Sequence, residues 1–109
     1  MDFIEENIKD SVSYIKLNNP QKMNCLSSGL CLELIEALHN AYDKKCKAVS
    51  VSANANRNVW SAGHDIRELP TDNSDPLEYS VPMERLLRLV QMIPIPVVAC
   101  VDGTVWGGA

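Results

Sequence analysis

The segment PVVACVDGTVWGGA, residues 96–109, combines an uninterrupted apolar run with a turn that contains glycine. The run at 96–101 is bounded by turn residues, a pattern typical of a β-strand that is covered on both faces. Gly107 and Gly108 follow, and glycine suits a backbone that turns tightly or approaches a ligand closely. The segment therefore predicts a strand of a parallel sheet with part of a functional site at its carboxyl end.

A hairpin and a helix are predicted in the first half of the chain. Residues 3–8 and 12–17 partly alternate between apolar and polar side chains and carry β-branched or aromatic residues, which favours two strands joined by a short turn. From Ser28 the apolar period becomes helical, and either Ser27 or Ser28 can cap the start of this helix. Its predicted apolar face holds Leu30, Leu34, Ile35, Leu38, Ala41 and Tyr42.

The second half predicts a short strand at 48–53 and a second helix before the apolar run. Asp75 and Pro76 form a favourable helix opening, whereas Pro82 marks an alternative start. The apolar stripe of this helix holds Met83, Leu86, Leu87, Val90 and Ile93. Strand–helix–strand connections in this order make parallel sheets with right-handed crossovers, so the predicted fold class is α/β.

Composition and charge argue against several classes of protein. The 109 residues, 46% of them apolar, can form one domain with a modest core. A net charge of −4 without any run of Lys or Arg argues against nucleic-acid binding. No stretch approaches the roughly 20 apolar residues of a membrane span, and the acidic N-terminus has the wrong sign for a targeting signal. We therefore expect a cytoplasmic protein that binds neither nucleic acid nor membrane.

The four cysteines predict reduced, mostly buried thiols rather than a metal or redox centre. They form no C-x-x-C pair, and no histidine lies at metal-ligand spacing from them. The chain also lacks the glycine patterns of dinucleotide-binding and P-loop proteins, and it lacks the G-x-S-x-G nucleophile turn.

Two segments with glycine follow predicted parallel strands and are expected to meet at one edge of the sheet. They are SAGHDI, residues 61–66, and DGTVWGGA, residues 102–109. A glycine turn that enters a helix exposes backbone N–H groups that favour negative charge. Two such turns side by side would form an oxyanion hole for a carbonyl that becomes an enolate or a tetrahedral anion. The residues alone leave alternatives open: a simple Gly-Gly turn, a solvated His64, and Asp65 as a turn or cap residue.

Three segments together resemble the N-terminal part of the crotonase family, the enoyl-CoA hydratase/isomerase superfamily. They are NNPQKMNCLS (18–27), SAGHDI (61–66) and DGTVWGGA (102–109), and their order and separation match the family pattern over essentially the whole chain. The resemblance implies the ClpP/crotonase fold, a spiral of β-β-α units. It also implies binding of acyl-CoA thioesters and assembly of subunits into homotrimers or hexamers.

The resemblance further implies roles for individual residues. The two donors to the thioester oxygen would be the backbone N–H groups of His64 and Gly108. Contacts to the adenine and pantetheine parts of CoA would come from Lys22, Met23, Cys25, Ala62, Asp65 and Ile66. Lys22 could approach the CoA phosphates, and a solvated turn lysine is the alternative.

Within the family, several details look like the branch that decarboxylates methylmalonyl-CoA. They are His64, the ELP at 68–70, the DPLEYSVP at 75–82 and the VWGGA at 105–109. This reaction implies a thioester enolate and needs neither a metal nor an organic cofactor, because CoA is part of the substrate. Hydration or isomerisation of an enoyl-CoA is one alternative, and a chain that only binds CoA or joins an assembly is another.

The resemblance also sets the expected domain organisation. Members of the family are longer and carry catalytic side chains beyond the Gly-Gly turn. We therefore expect residues 1–109 to be the N-terminal part of a single crotonase-like domain. No motif of the family gives an acid/base role to the carboxylates of Glu33, Asp65 or Glu68, so none is assigned.

Overall fold

The computed structural model describes residues 1–55, 58–69, 72 and 81–109. The strands and helices of these residues are β1 (Ile4–Lys9), β2 (Val12–Leu17), α1 (Ser28–Asp43), β3 (Ala48–Ala53), β4 (Val59–Ser61), α2 (Pro82–Met92), β5 (Val97–Ala99) and β6 (Thr104–Val105). Single-turn 3₁₀ helices lie at Pro20–Lys22 and Ile66–Glu68. The predicted α/β class is confirmed. The helix opening predicted at Asp75 and Pro76 lies outside the described residues, and the described helix begins at Pro82.

A four-stranded sheet in the order β1-β2-β3-β5 forms one layer of the molecule. Strands β1 and β2 form the predicted antiparallel hairpin, with Ile4 opposite Leu17. The turn between them places Asp10 and Ser11 at φ values of 52° and 64°, as a tight type I′ turn requires. Strands β2, β3 and β5 run parallel, so the predicted parallel arrangement is confirmed.

Helix α1 packs on this sheet and supplies much of the core. Ser27 is its N-cap, because its hydroxyl accepts a hydrogen bond from the N–H of Leu30 at 3.2 Å. The buried residues of α1 are Leu30, Cys31, Leu34, Ile35, Ala37, Leu38 and Ala41. Tyr42 was predicted on this face but is 53% exposed. The next helical residue is rotated by about 100°, so with Ala41 facing the core Tyr42 is turned towards solvent.

The apolar run at 96–101 forms a shorter and more open strand than the sequence predicts. Strand β5 spans only Val97–Ala99, and Val98 and Val101 are 53% and 50% exposed. The prediction of a strand covered on both faces is therefore wrong for this structure. The physical reason is that no described element covers the face of β5 that carries the side chain of Val98. Strand β5 is also the edge strand of the sheet, since it pairs only with β3.

Helix α2 packs against α1 mainly through its first turns. Met83 and Leu86 are buried, whereas Leu87 and Val90 are 36% and 40% exposed. The predicted apolar stripe is thus only partly covered. Leu87 and Val90 border an apolar cavity between α2 and the sheet, which explains their partial exposure.

A second, two-stranded parallel sheet joins β4 to β6. Val59 lies opposite Thr104, and Ser61 lies opposite Val105. This pairing brings the segment that follows β4 next to the segment that follows β6, as the sequence predicts.

The buried side chain of Asn24 ties the loop before α1 to both sheets. Its Oδ1 accepts a hydrogen bond from the N–H of Asn19 at 2.7 Å. Its Nδ2 donates to the carbonyl oxygens of Asn54 and Trp60, each at 3.0 Å. The Asn24 carbonyl accepts from the Ser61 hydroxyl at 2.8 Å. Every polar atom of this side chain is therefore satisfied inside the protein, where an unpaired polar group would be costly.

We expect Asn24→Ala to lower the free energy of unfolding by about 3 kcal/mol, because it leaves the buried Trp60 carbonyl and the partly buried Asn19 N–H and Asn54 carbonyl without their partners. Urea denaturation followed by circular dichroism measures this loss. Asn7→Ala is the matched control, since Asn7 is exposed on β1 and its change should stay within about 0.5 kcal/mol. Equal losses for the two variants would contradict the role given to Asn24.

Candidate functional site

The turn at Gly63 forms the first half of the candidate site. Gly63 has a φ of 83°, a conformation that favours glycine, and a Cβ atom at this position would overlap the carbonyl oxygen of Trp106. The Gly63 carbonyl accepts a hydrogen bond from the N–H of Leu26 at 2.7 Å. The C=O and N–H of a trans peptide point in opposite directions. The N–H of His64 therefore points away from Leu26.

The turn at residues 106–109 forms the second half. The N–H of Ala109 donates to the carbonyl oxygen of Trp106 at 3.0 Å, which closes a four-residue turn around Gly107 and Gly108. Gly107 has a φ of 52°. The hydrogen bond that closes a turn of this kind uses the N–H of its fourth residue, so it leaves the N–H of Gly108 available.

The N–H groups of His64 and Gly108 lie close together. A Cβ atom built on Gly108 would be 3.8 Å from the His64 nitrogen, and one built on Gly63 would be 3.0 Å from the Gly108 nitrogen. Within the described part of the chain, neither N–H donates a hydrogen bond to a protein acceptor. Two neighbouring donors without acceptors can stabilise an oxygen that gains negative charge. The structure thus brings together the two predicted donors, and their catalytic role stays a prediction.

A cleft of about 540 Å³ opens beside His64. It is lined by all the residues predicted to contact CoA, which are Lys22, Met23, Cys25, Ala62, Asp65 and Ile66. Gln21, Arg67 and Trp106 complete the lining and were not selected from the sequence. Each of the three lies within, or next to, one of the three segments that resemble the family, and this position is the sequence signal that indicates them. Lys22 places positive charge on the cleft, as a polyphosphate ligand would require, whereas the charge of Arg67 is paired with the carboxylate of Asp65 in the same lining.

The loop at residues 18–27 is held against the Gly63 turn by backbone hydrogen bonds. The N–H of Ala62 donates to the carbonyl oxygen of Met23 at 2.9 Å, and Leu26 forms a parallel bridge with His64. Met23 adopts a φ of 52°, which turns the loop sharply at this point. The first two motifs of the sequence therefore form one continuous wall of the cleft.

The carboxylate of Asp65 is engaged by Arg67. Its Oδ1 accepts hydrogen bonds from the Arg67 backbone N–H at 3.1 Å and from Nε at 2.9 Å, and its Oδ2 accepts from Nη2 at 2.8 Å. These hydrogen bonds hold the pKa of Asp65 below its usual range and raise the pKa of Arg67. Asp65 is thus the N-cap of the following 3₁₀ turn, the alternative that the sequence left open. Its contact with CoA stays a prediction.

The carboxylates of Glu33 and Glu68 also have structural partners. Glu68 accepts hydrogen bonds from the backbone N–H of Ser28, at 3.0 and 3.1 Å, and from the Ser28 hydroxyl. It therefore places negative charge at the start of α1, where the helix dipole favours it. Glu33 accepts from the N–H groups of Phe3 and Ile4. Both carboxylates therefore have structural partners, and neither is assigned an acid/base role.

A second cavity, of about 180 Å³, lies beside the Gly108 turn. Its walls are apolar side chains from both helices and both sheets, among them Leu34, Trp60, Met83 and Val90, and it is also bordered by Gly108. Since His64 lines the cleft and Gly108 borders the apolar cavity, the two neighbouring donors lie between these two spaces.

All four cysteines belong to the described residues, and none forms a disulfide. Cys31 and Cys46 are buried, Cys25 is half-buried in the cleft, and Cys100 is exposed. Burial raises the pKa of Cys31 to about 12. Over the described ranges, no three His, Cys, Asp or Glu side chains are grouped as metal ligands, and neither α1 nor α2 is long and apolar enough to cross a membrane.

Two known proteins are similar in sequence to most of this chain. Methylmalonyl-CoA decarboxylase of Escherichia coli (strain K12) is 37% identical over 100 residues, which cover 92% of this chain and 38% of that protein. The mitochondrial enoyl-CoA hydratase domain-containing protein 3 of Xenopus laevis is 36% identical over 92 residues, covering 82% of this chain and 31% of that protein. This chain therefore spans between about three and four tenths of the length of these relatives.

Solved structures of related proteins share the fold of this chain. Methylmalonyl-CoA decarboxylase complexed with 2S-carboxypropyl-CoA superposes with a TM-score of 0.92 at 34% identity, over 100% of this chain and 42% of that one. Human enoyl-CoA hydratase domain-containing protein 3 superposes with a TM-score of 0.77 at 28% identity, over 93% of this chain and 40% of that one. The predicted crotonase-like fold is thus confirmed over the N-terminal portion of these structures. Because the Enoyl-CoA hydratase/isomerase family matches residues 7–109, this chain belongs to that family, the crotonase superfamily.

Proposed function

We propose that this chain supplies the oxyanion hole and the CoA cleft of an acyl-CoA enzyme that decarboxylates methylmalonyl-CoA. The observation that carries the proposal is the pair of N–H groups of His64 and Gly108, without acceptors among the described residues, between the cleft that His64 lines and the apolar cavity that Gly108 borders. The choice of acyl group is supported by 37% identity to a methylmalonyl-CoA decarboxylase and by a TM-score of 0.92 to such an enzyme with 2S-carboxypropyl-CoA bound.

The chemistry of decarboxylation explains why two backbone donors suffice for its central step. The bond between the α-carbon and the carboxylate breaks, CO₂ leaves, and the electron pair forms a thioester enolate. The thioester oxygen gains charge during this step, so fixed donors stabilise the transition state more than the substrate. Each donor is expected to contribute about 3 kcal/mol. Backbone groups held by turns need little reorganisation to do so.

The two spaces beside the donors suit the two ends of an acyl-CoA. In the proposed binding mode the CoA arm occupies the cleft, and its phosphates lie near the cations of Lys22 and Arg67. The acyl group enters the cavity of about 180 Å³, whose apolar walls solvate a carboxylate poorly. Poor solvation of the charged group favours its departure as neutral CO₂.

The α-carbon must then receive a proton, and we assign this step neither to Asp65, which lines the cleft, nor to Glu68. Asp65 is hydrogen-bonded to Arg67, and Glu68 is hydrogen-bonded to Ser28. Three further expectations remain predictions. The reaction needs no added cofactor, the subunits assemble into homotrimers or hexamers, and the protein is cytoplasmic.

The proposed reaction predicts that the purified protein converts methylmalonyl-CoA to propionyl-CoA and CO₂ without added metal or cofactor. Mass spectrometry of the CoA products measures this conversion, and crotonyl-CoA serves as the competing substrate. Hydration of crotonyl-CoA without decarboxylation would replace the proposal by a hydratase function. Binding of CoA, seen by calorimetry, without turnover of either thioester would leave a role in binding alone.

The use of backbone donors predicts contrasting effects at two neighbouring residues. We expect Gly63→Ala to lower kcat at least 100-fold, because the new Cβ would push Trp106 and the Gly108 turn away from His64. We expect His64→Ala to lower kcat by less than about tenfold, because it retains the backbone N–H. Steady-state kinetics on both variants, with circular dichroism as the control for folding, measures the contrast. A His64→Ala variant that folds but loses several orders of magnitude would show that the imidazole itself acts.

A further inference from the structure

Ser61 contacts all three segments that form the candidate site. It is fully buried at the end of β4. Its hydroxyl donates to the carbonyl of Asn24 at 2.8 Å and accepts from the N–H of Gly63 at 3.2 Å. Its backbone carbonyl accepts from the N–H of Trp106 at 3.2 Å. Ser61 is thus hydrogen-bonded to the loop before α1, to the Gly63 turn and to the segment that carries Gly108.

The Ser61 hydroxyl fixes the direction of the first oxyanion donor. Glycine has wide backbone freedom, so the peptide groups on both sides of Gly63 must be held if the next N–H is to keep one direction. The Ser61 hydroxyl holds the N–H of Gly63, and the N–H of Leu26 holds its carbonyl. That carbonyl belongs to the same peptide group as the N–H of His64. Without the hydroxyl, only one of the two anchors remains.

The same residue anchors the second donor. The hydrogen bond from Trp106 to the Ser61 carbonyl precedes the turn that Trp106 closes with Ala109, and Gly108 lies inside this turn. The Trp106 carbonyl also lies directly against Gly63. A shift of the Ser61 peptide would therefore change the separation between the N–H groups of His64 and Gly108.

We propose that Ser61 is a positioning residue that sets the direction and the spacing of the two oxyanion donors through its hydroxyl and its carbonyl. The proposal rests on the proposed function of the same site, because it concerns the donors that act there. A hydroxyl is suited to this position since it donates and accepts at once. Alanine would leave the Asn24 carbonyl and the Gly63 N–H without these partners in a buried place.

Ser13 offers a matched control. It is also a fully buried serine on a strand, and its hydroxyl donates to Glu6 at 3.4 Å, a contact that includes none of the site segments. Ser13→Ala and Ser61→Ala therefore each remove a hydroxyl from a fully buried serine on a strand, and only the Ser61 hydroxyl contacts the site segments. Ser61→Cys is a further variant that nearly keeps the side-chain volume but replaces the hydroxyl by a weak donor and acceptor.

The first readout is the amide spectrum of the ligand-free protein, which does not depend on turnover. In ¹H–¹⁵N correlation spectra we expect Ser61→Ala to shift the His64 and Gly108 amide resonances, and Ser13→Ala to leave them in place. Ser61→Cys should give a smaller shift in the same direction, and it replaces the alanine variant if that variant does not fold. Unshifted His64 and Gly108 resonances in the folded Ser61 variant would overturn the proposal.

The second readout is the kinetics of decarboxylation. A misplaced donor should lower kcat of Ser61→Ala roughly 10–100-fold while KM changes by less than about threefold. An equal loss of kcat in Ser13→Ala would show a general effect of stability and overturn the proposal. If the resonances shift as expected but the unmodified protein turns over no acyl-CoA, the proposed function fails while the positioning by Ser61 stands.

Discussion

The arrangement of the candidate site depends on the hydrogen bonds of the buried Asn24 side chain. Its side chain joins the loop before α1 to the residues that follow β3 and to β4, and its carbonyl receives the hydroxyl of Ser61. Each hydrogen bond contributes only about 1 kcal/mol net, but leaving its partners unpaired in the interior costs more. The loop is therefore held in one position against the Gly63 turn, and the cleft is formed between them.

Backbone donors place unequal demands on neighbouring residues. Gly63 is needed for its conformation and for the close approach of Trp106, so in the proposed mechanism its lack of a side chain is what positions the donors. His64 contributes an N–H that every residue except proline possesses, so its side chain is free to serve other purposes. The positions of the donors thus depend on the glycines, which have no side chain. They also depend on residues such as Asn24 and Ser61, whose buried hydrogen bonds fix the turns.

The parts of the fold with local signals were predicted well from the sequence. The hairpin follows from alternation and the start of α1 from capping and apolar periodicity, whereas the exposure of Val98 depends on which elements lie beside β5. The donors and the cleft residues came from three motifs. The roles of Asn24 and Ser61 could not be read from spacing, because Asn54, Trp60 and Ser61 lie 30 to 37 residues from Asn24 and such hydrogen bonds leave no periodic pattern.

The cysteine in the cleft fits an enolate mechanism better than a covalent one. A thiolate beside a bound thioester would attack it and transfer the acyl group to the protein. Burial raises the pKa of the Cys25 thiol, and the negative charge of Asp65 raises it further against the opposing effect of Arg67. The thiol is therefore protonated near neutral pH and is a poor nucleophile. The cleft can thus hold Cys25 beside the proposed CoA arm while the proposed chemistry stays at the α-carbon and at the thioester oxygen that faces the backbone donors.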